Sequence, residues 1–282
     1  MLTYEEQLTK LIRNGLEEDI GDGDHSTLSC IPPGVRGQAI LKIKEDGILA
    51  GIKVAEKVFM YVDSSSVFKA MMVDGQIVQE GEVGFQIESS IQSILSAERL
   101  VLNIMQRMSG IATLTAQYAD KLTGYKTKLL DTRKTTPNFR LLEKEAVRIG
   151  GGFNHRMGLY DMIMLKDNHV DYAGGLEYAI EKARAYLLEK NLPLKIEVET
   201  RNLDEVREVM EIGKVDRIML DNFDVPSLRD AMKIIQGRFE TEASGGINLD
   251  NIRYYADTGV DFISAGSLIH QARSMDLSLK AK

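Results

Sequence analysis

Between Arg133 and Lys166 the chain carries seven basic side chains, Arg133, Lys134, Arg140, Lys144, Arg148, Arg156 and Lys166, against three acids, Glu143, Glu145 and Asp161. His155 stands among them. The whole chain has a formal net charge of −7. A stretch that inverts the local sign marks a place for anions. The basic set divides in two. Arg140, Lys144 and Arg148 recur every four residues with Glu143 among them, which reads as a solvated row along one helix. Arg133, Lys134, His155, Arg156 and Lys166 instead flank apolar runs and Gly-rich segments. Arginine grips a carboxylate or phosphate with a two-point fork, and lysine adds a compact charge. This second group suits a small ligand with several anionic groups.

Acids and glycines further along complement it. Glu197 and Glu199 are two apart in an apolar run and share one face of a strand. Asp221 ends the next run. Carboxylates in such places hold Mg²⁺ or ribose hydroxyls. Ser244-Gly245-Gly246 and Ala265-Gly266-Ser267 follow two later runs. Their backbone N–H groups, beside helix starts, can bind a phosphate. No Ser-His-Asp set emerges. The one cysteine, Cys30, reads as a small, partly buried side chain. Transfer between two bound partners therefore fits better than covalent catalysis.

The elements that must position these groups follow a βα rhythm. Apolar runs at 127–131, 162–166, 194–199, 217–221, 239–244 and 262–266 alternate with amphipathic stretches at 137–150, 174–190, 202–213, 226–236 and 248–258. Repeated βα units predict a parallel sheet with helices outside. Asp131, Lys166, Glu199, Asp221, Ser244 and Gly266 end successive runs. In an α/β barrel those ends share one face; an open doubly wound sheet would also gather ligands there. The absence of G-x-G-x-x-G after the first run favours the barrel. Upstream, 4–19 and 52–61 read as helices, 91–123 is helical, and 37–43, 67–73 and 84–88 read as strands of a mostly antiparallel sheet. The expected organisation is an N-terminal α/β sandwich-like domain (1–109), an incomplete, TIM-like α/β barrel (110–270) and a tail (271–282).

Composition bounds the rest. With 44% apolar and 27% charged residues, the chain has the makings of a soluble globular protein. The acidic balance argues against a nucleic-acid partner. The start of the chain lacks a signal-peptide pattern, no run is long enough for a membrane span, and the expected location is cytoplasmic. Asp19-Ile-Gly-Asp-Gly-Asp-His-Ser-Thr lacks the closing glutamate of a calcium loop and reads as a turn-rich loop.

Longer blocks carry a resemblance. Asp131-Thr-Arg-Lys-Thr-Thr-Pro, Leu141-Leu-Glu-Lys, Gly150-Gly-Gly-Phe-Asn-His-Arg-Met-Gly-Leu-Tyr-Asp and Leu165-Lys-Asp-Asn-His closely resemble the quinolinate phosphoribosyltransferase family. So do Glu18-Asp-Ile-Gly-Asp-Gly-Asp-His-Ser-Thr, Ala97-Glu-Arg-Leu-Val-Leu-Asn, Leu220-Asp-Asn-Phe and Ser244-Gly-Gly-Ile. The resemblance implies transfer of phosphoribosyl from phosphoribosyl pyrophosphate to quinolinate, giving nicotinate mononucleotide, CO₂ and pyrophosphate for NAD biosynthesis. It implies an N-terminal domain beside an incomplete α/β barrel, Mg²⁺, and a homodimer or multiple of dimers with shared sites. By motif, Arg133, His155, Arg156 and Lys166 would surround the quinolinate carboxylates, with Arg99 reaching in from the partner subunit. Lys134 would neutralise the pyrophosphate or a carboxylate. Glu199 and Asp221 would hold the ribose hydroxyls and Mg²⁺, with Glu197 as an extra. Ser244, Gly245, Gly246 and Gly266 would take the 5′-phosphate. Lys134, Lys166, Glu199 and Asp221 are the expected catalytic residues. Asn138-Phe139 departs from the family's more usual Gly-Leu, and Ala265-Gly-Ser from Val-Gly-Ala. Two alternatives stand beside this reading: an enzyme of the molybdenum-associated branch, and a phosphate-ligand-binding protein without turnover.

Overall fold

The computed structural model describes residues 2–282. Two compact units emerge. The first holds the chain up to Ala116 together with Thr135–Gly151 and Leu268–Lys282; the second holds Gln117–Lys134 and Gly152–Ser267.

The chain opens with α1 (Tyr4–Ile20), α2 (His25–Cys30), β1 (Arg36–Ile43), β2 (Gly47–Ile48), α3 (Ile52–Val62), β3 (Val67–Ala70), β4 (Ile77–Val78), β5 (Val83–Ser90) and the long α4 (Ile91–Lys121). Helix α1 starts at a capping box in which Thr3 and Glu6 satisfy each other's backbone N–H groups. It buries Leu8, Ile12 and Leu16 at four-residue spacing, each contributing at most about 1.5–3 kcal/mol of burial. It ends at Gly21, whose φ of 57° suits glycine. The expected turn-rich loop is present but shorter: it spans residues 21–24 between the end of α1 and α2, which Asp24 caps by accepting from Thr27 N at 3.0 Å. Cys30 is exposed rather than partly buried.

The remaining elements are β6 (Lys128–Leu130), α5 (Arg140–Ile149), β7 (Ile163–Leu165), α6 (Asp167–Ala173), α7 (Leu176–Lys190), β8 (Ile196–Thr200), α8 (Leu203–Ile212), β9 (Arg217–Asp221), α9 (Val225–Ile235), β10 (Glu240–Ser244), α10 (Ile252–Ala256), β11 (Phe262–Ser264), α11 (Ser267–His270) and β12 (Leu277–Ala281). In the first unit, β12, β1, β5 and β3 form an antiparallel sheet in that order. The chain's last strand therefore joins its first, with Leu41 opposite Leu279. Phe59, Phe85 and Ile87, all fully buried, lie in its core.

In the second unit six parallel strands run in the order β6-β11-β10-β9-β8-β7. From β7 to β11 each strand neighbours the next, and the first strand pairs with the last. A doubly wound sheet would instead reverse direction part-way. This order is that of an α/β barrel left open between β6 and β7, as the motif resemblance implied. Every residue of β8 is buried, Glu197 and Glu199 included.

The expected surface row on α5 is corrected in part. Arg148 is exposed and Arg140 half-buried, but Lys144 is completely buried. Glu143, also without exposure, accepts from Arg107 Nε at 2.9 Å and from Thr136 N at 2.8 Å. Both belong to the first unit, as α5 does. Asn138, where the motif more often has glycine, has φ of 62°. Asparagine is among the few residues that tolerate this left-handed conformation, which accounts for the substitution.

Candidate functional site

The site is built on the strand ends of the second unit. Asp131 follows β6 and is fully buried. Its carboxylate accepts from His155 N at 2.8 Å and from the Asn154 side-chain amide at 2.6 Å. Phe153, just before them, pairs in parallel with Leu130 of β6, donating to Leu129 O at 2.8 Å. The segment 153–155 thus runs beside β6, which lays the Asn154-His155-Arg156 sequence along the strand ends. Arg133 lies half-buried two residues beyond Asp131, and Lys134 is exposed with its N–H donating to Thr132 Oγ1 at 3.0 Å.

Arg156 is half-buried. Its guanidinium donates to Met162 O at 3.2 Å and approaches Met164 Sδ at 3.6 Å. Burial lowers its pKa, and Arg133 lowers it further. Two guanidinium groups close enough to repel each other gain when an anion lies between them.

Lys166 ends β7. Its ammonium group bonds the carboxylate of Glu199 on β8, and its backbone N–H donates to His169 Nδ1 at 3.0 Å. Glu199 is 9% exposed, whereas the lysine side chain is 43% exposed. Asp221 ends β9 half-buried and accepts from the neighbouring Asn222 amide at 2.6 Å. Asn222 N–H reaches across to Ser244 O at 2.8 Å at the end of β10. Gly245 and Gly246 follow with φ of 95° and 64°, so this turn requires glycine-like backbone. Ser244 and Gly245 are half-buried, Gly246 is exposed and Gly266 is half-buried after β11. Arg99 lies on α4 in the first unit with its side chain exposed.

His155 faces inward. Its Nε2 lies 3.0 Å from Glu197 Oε2 and 3.3 Å from Glu242 Oε2, and its Nδ1 lies 2.6 Å from the Arg156 backbone nitrogen. Burial opposes charge on the ring, but the two carboxylates outweigh it and raise His155 to about 9. Burial and Glu242 raise Glu197 to about 7. Burial also works against the charge on Glu242, but His155, Ser264 and Arg217 more than compensate and hold it low. The three ligand atoms lie within 4.8 Å of one another, a spacing open to a metal ion. Arg217 already supplies a cation there, 3.0 Å from Glu242.

Glu242, Arg217 and Asn222 were not anticipated from the sequence. The available signal was a charged residue inside each of two apolar runs expected to be buried on both faces. Such residues need partners.

Known proteins match this chain at both units. Residues 24–109 match the family model described as quinolinate phosphoribosyl transferase, N-terminal domain, and residues 111–280 the C-terminal domain of the same description. A nicotinate-nucleotide pyrophosphorylase (carboxylating), chloroplastic, of Arabidopsis thaliana is 45% identical over 99% of this chain and 83% of its own length. A probable enzyme of the same name from Synechocystis is 42% identical over 95% of this chain and 90% of its own. Among solved structures, NadC from Streptococcus pyogenes superposes with a TM-score of 0.91 at 39% identity, covering 100% of this chain and 99% of that one.

Proposed function

We propose, for a chain that belongs to the quinolinate phosphoribosyltransferase family, that the strand-end cations of its second unit bind the carboxylates of quinolinate while the later strands hold phosphoribosyl pyrophosphate. The reaction joins the pyridine nitrogen to the ribose C1 and releases pyrophosphate and CO₂, a step of NAD biosynthesis. The observation that supports the site assignment is the placement of Arg133, Arg156 and Lys166 after the strands of one parallel sheet, with Arg133 near enough to Arg156 to disfavour its charge, in an acidic protein. The molybdenum-associated and non-catalytic readings are not favoured, because full-length relatives are named for this reaction.

In this reading Arg133, Arg156 and Lys166 orient the dicarboxylate, and Lys134 neutralises charge on the departing pyrophosphate. Glu199 and Asp221 hold the ribose hydroxyls as positive charge grows on the ring. Ser244, Gly245, Gly246 and Gly266 take the 5′-phosphate. Positioning and electrostatic stabilisation supply the rate. Once the pyridine nitrogen is cationic, its charge stabilises the electron pair left on the adjacent ring carbon as CO₂ departs, and a proton from solvent then takes the carboxylate's place on that carbon. The carboxylate oxygens of Glu199 and Asp221 are the hard donors that Mg²⁺ prefers. Glu199 and Asp221 would hold Mg²⁺ there, and it would supply positive charge to the leaving pyrophosphate.

The active form in this reading is a homodimer, with the exposed Arg99 of α4 offered to the partner's site. No described helix is long and apolar enough to cross a membrane. The acidic composition and single cysteine agree with the cytoplasm as the place of action.

Arg133→Ala and Lys166→Ala test the assignment. Each is expected to weaken quinolinate binding by about 2–5 kcal/mol, the cost of leaving a bound charge unpaired. Near-normal quinolinate binding and turnover in both variants would remove the basis for this site.

A further inference from the structure

Four charged side chains meet in the interior of the second unit, away from water. His155, Glu197 and Glu242 are buried, the two glutamates completely, and the Arg217 side chain is 11% exposed. They come from different places. Glu197 lies on β8, Arg217 opposite it on β9, Glu242 on β10, and His155 on the segment beside β6. Arg217 bonds Glu242 at 3.0 Å and Glu240 at 3.2 Å, and its guanidinium stacks 3.9 Å from the Phe262 ring on β11. His155 closes the group by reaching both glutamates through Nε2.

Burying such a set is expensive. Apolar residues of similar volume would pack there at equal or lower cost. Retention of four charges therefore asks for a purpose beyond stability. The geometry offers one. The imidazole faces the two glutamates through Nε2 and lies against the Arg156 backbone nitrogen at its other edge. Asp131 holds the other side of the same segment through His155 N and Asn154. The chain at 154–156 is fixed between these two anchors, and the Arg156 guanidinium leaves from it.

We infer that Glu197, Glu242 and Arg217 are positioning residues: they clamp the His155 ring, and the ring sets the backbone from which Arg156 meets the substrate carboxylates. His155 then acts as a strut more than as a ligand contact. This inference rests on the quinolinate reading of the cationic pocket. The direct comparison is between Glu242→Gln, which keeps the shape and removes one charge, and Arg156→Ala, which removes the presented group.

Steady-state constants for both substrates, with circular dichroism to establish folding, provide the test. Glu242→Gln should raise the quinolinate KM roughly tenfold or more, as displacement of a binding group by a fraction of an ångström does. The KM for phosphoribosyl pyrophosphate should stay within about threefold, since Glu242 faces His155 and Arg217 and none of the groups assigned to that substrate. A general loss of structure would move both. Arg217→Met should repeat the pattern; if it does not fold, the near-isosteric Glu242→Gln still decides. An unchanged quinolinate KM in folded Glu242→Gln, or equal rises for both substrates, overturns the clamp. An unchanged quinolinate KM in Arg156→Ala would instead overturn the pocket reading itself.

Discussion

Asn222 packs so closely on Gly245 that a Cβ at position 245 would lie 2.2 Å from the Asn222 side-chain oxygen. This contact ties the end of β9 to the turn after β10, because Asn222 N–H also donates to Ser244 O at 2.8 Å. Asp221, next in the chain, accepts from the Asn222 amide. One asparagine thus couples the proposed ribose-binding acid to the proposed phosphate-binding turn.

Gly245→Ala should therefore do two things. It adds a clash and a strained φ, costing about 1–3 kcal/mol of stability. It should also raise the KM for phosphoribosyl pyrophosphate more than that for quinolinate. Urea unfolding and two-substrate kinetics check both, and a rise confined to quinolinate would misplace the phosphate turn.

Glu199 separates stability from activity. Its partner Lys166 is 43% exposed, so solvent screens the pair and its loss should cost less than about 1 kcal/mol of folding stability. Glu199→Gln should nonetheless lower kcat/KM for phosphoribosyl pyrophosphate by roughly a hundredfold, because a group at the reacting sugar would be gone. Melting curves and initial rates read the two effects independently.

The His155 network should give the folded state a pH signature. The ordinary imidazole value is about 6.5, and in the folded chain it is raised to about 9. A raised value means that the folded state holds its proton longer. The stabilisation is complete below about pH 6.5 and is lost as pH rises through about 9. Unfolding free energy should fall by roughly 1–3 kcal/mol over that window. The fall should be smaller in His155→Gln, and equal slopes for the two proteins would contradict it.

In the first unit, Glu143 carries a purely structural prediction. Its carboxylate, without exposure, accepts from Arg107 Nε and NH2 at 2.9 and 2.8 Å and from Thr136 N and Oγ1 at 2.8 and 2.9 Å. Glu143→Gln removes the charge facing Arg107, whose own side chain is 23% exposed. The expected loss is about 2–4 kcal/mol by urea unfolding. A loss below 0.5 kcal/mol, roughly that of an ordinary surface change, would show that the pair is replaceable.

The parallel strands were legible because each apolar run is short, ends in a polar residue and is followed by an amphipathic stretch. That rhythm fits a barrel or an open doubly wound sheet, and the missing G-x-G-x-x-G after the first run is what favoured the barrel. Two kinds of feature were hidden. Helix α6 begins directly after Lys166, leaving no turn for pattern to mark, and β12 takes its strand conformation by pairing with β1, far away in sequence. Lys144 has the spacing of a surface row yet is buried, since helical periodicity places a residue on a face without saying what packs there. In the site, the cations at 133, 134, 156 and 166 were visible by their charge against an acidic background. The inward turn of His155 was not. It depends on Glu242 and Arg217, which share no local pattern with it and meet it only through the order of the strands.

In the proposed reaction the strand-end cations Arg133, Arg156 and Lys166 take a dicarboxylate, which is joined to an activated ribose phosphate. Mixing the purified protein with phosphoribosyl pyrophosphate, Mg²⁺ and either quinolinate or nicotinate measures it most directly. The account predicts nicotinate mononucleotide, pyrophosphate and CO₂ from quinolinate, with little product from nicotinate. Preference for nicotinate, or pyrophosphate release without CO₂ from quinolinate, would contradict it.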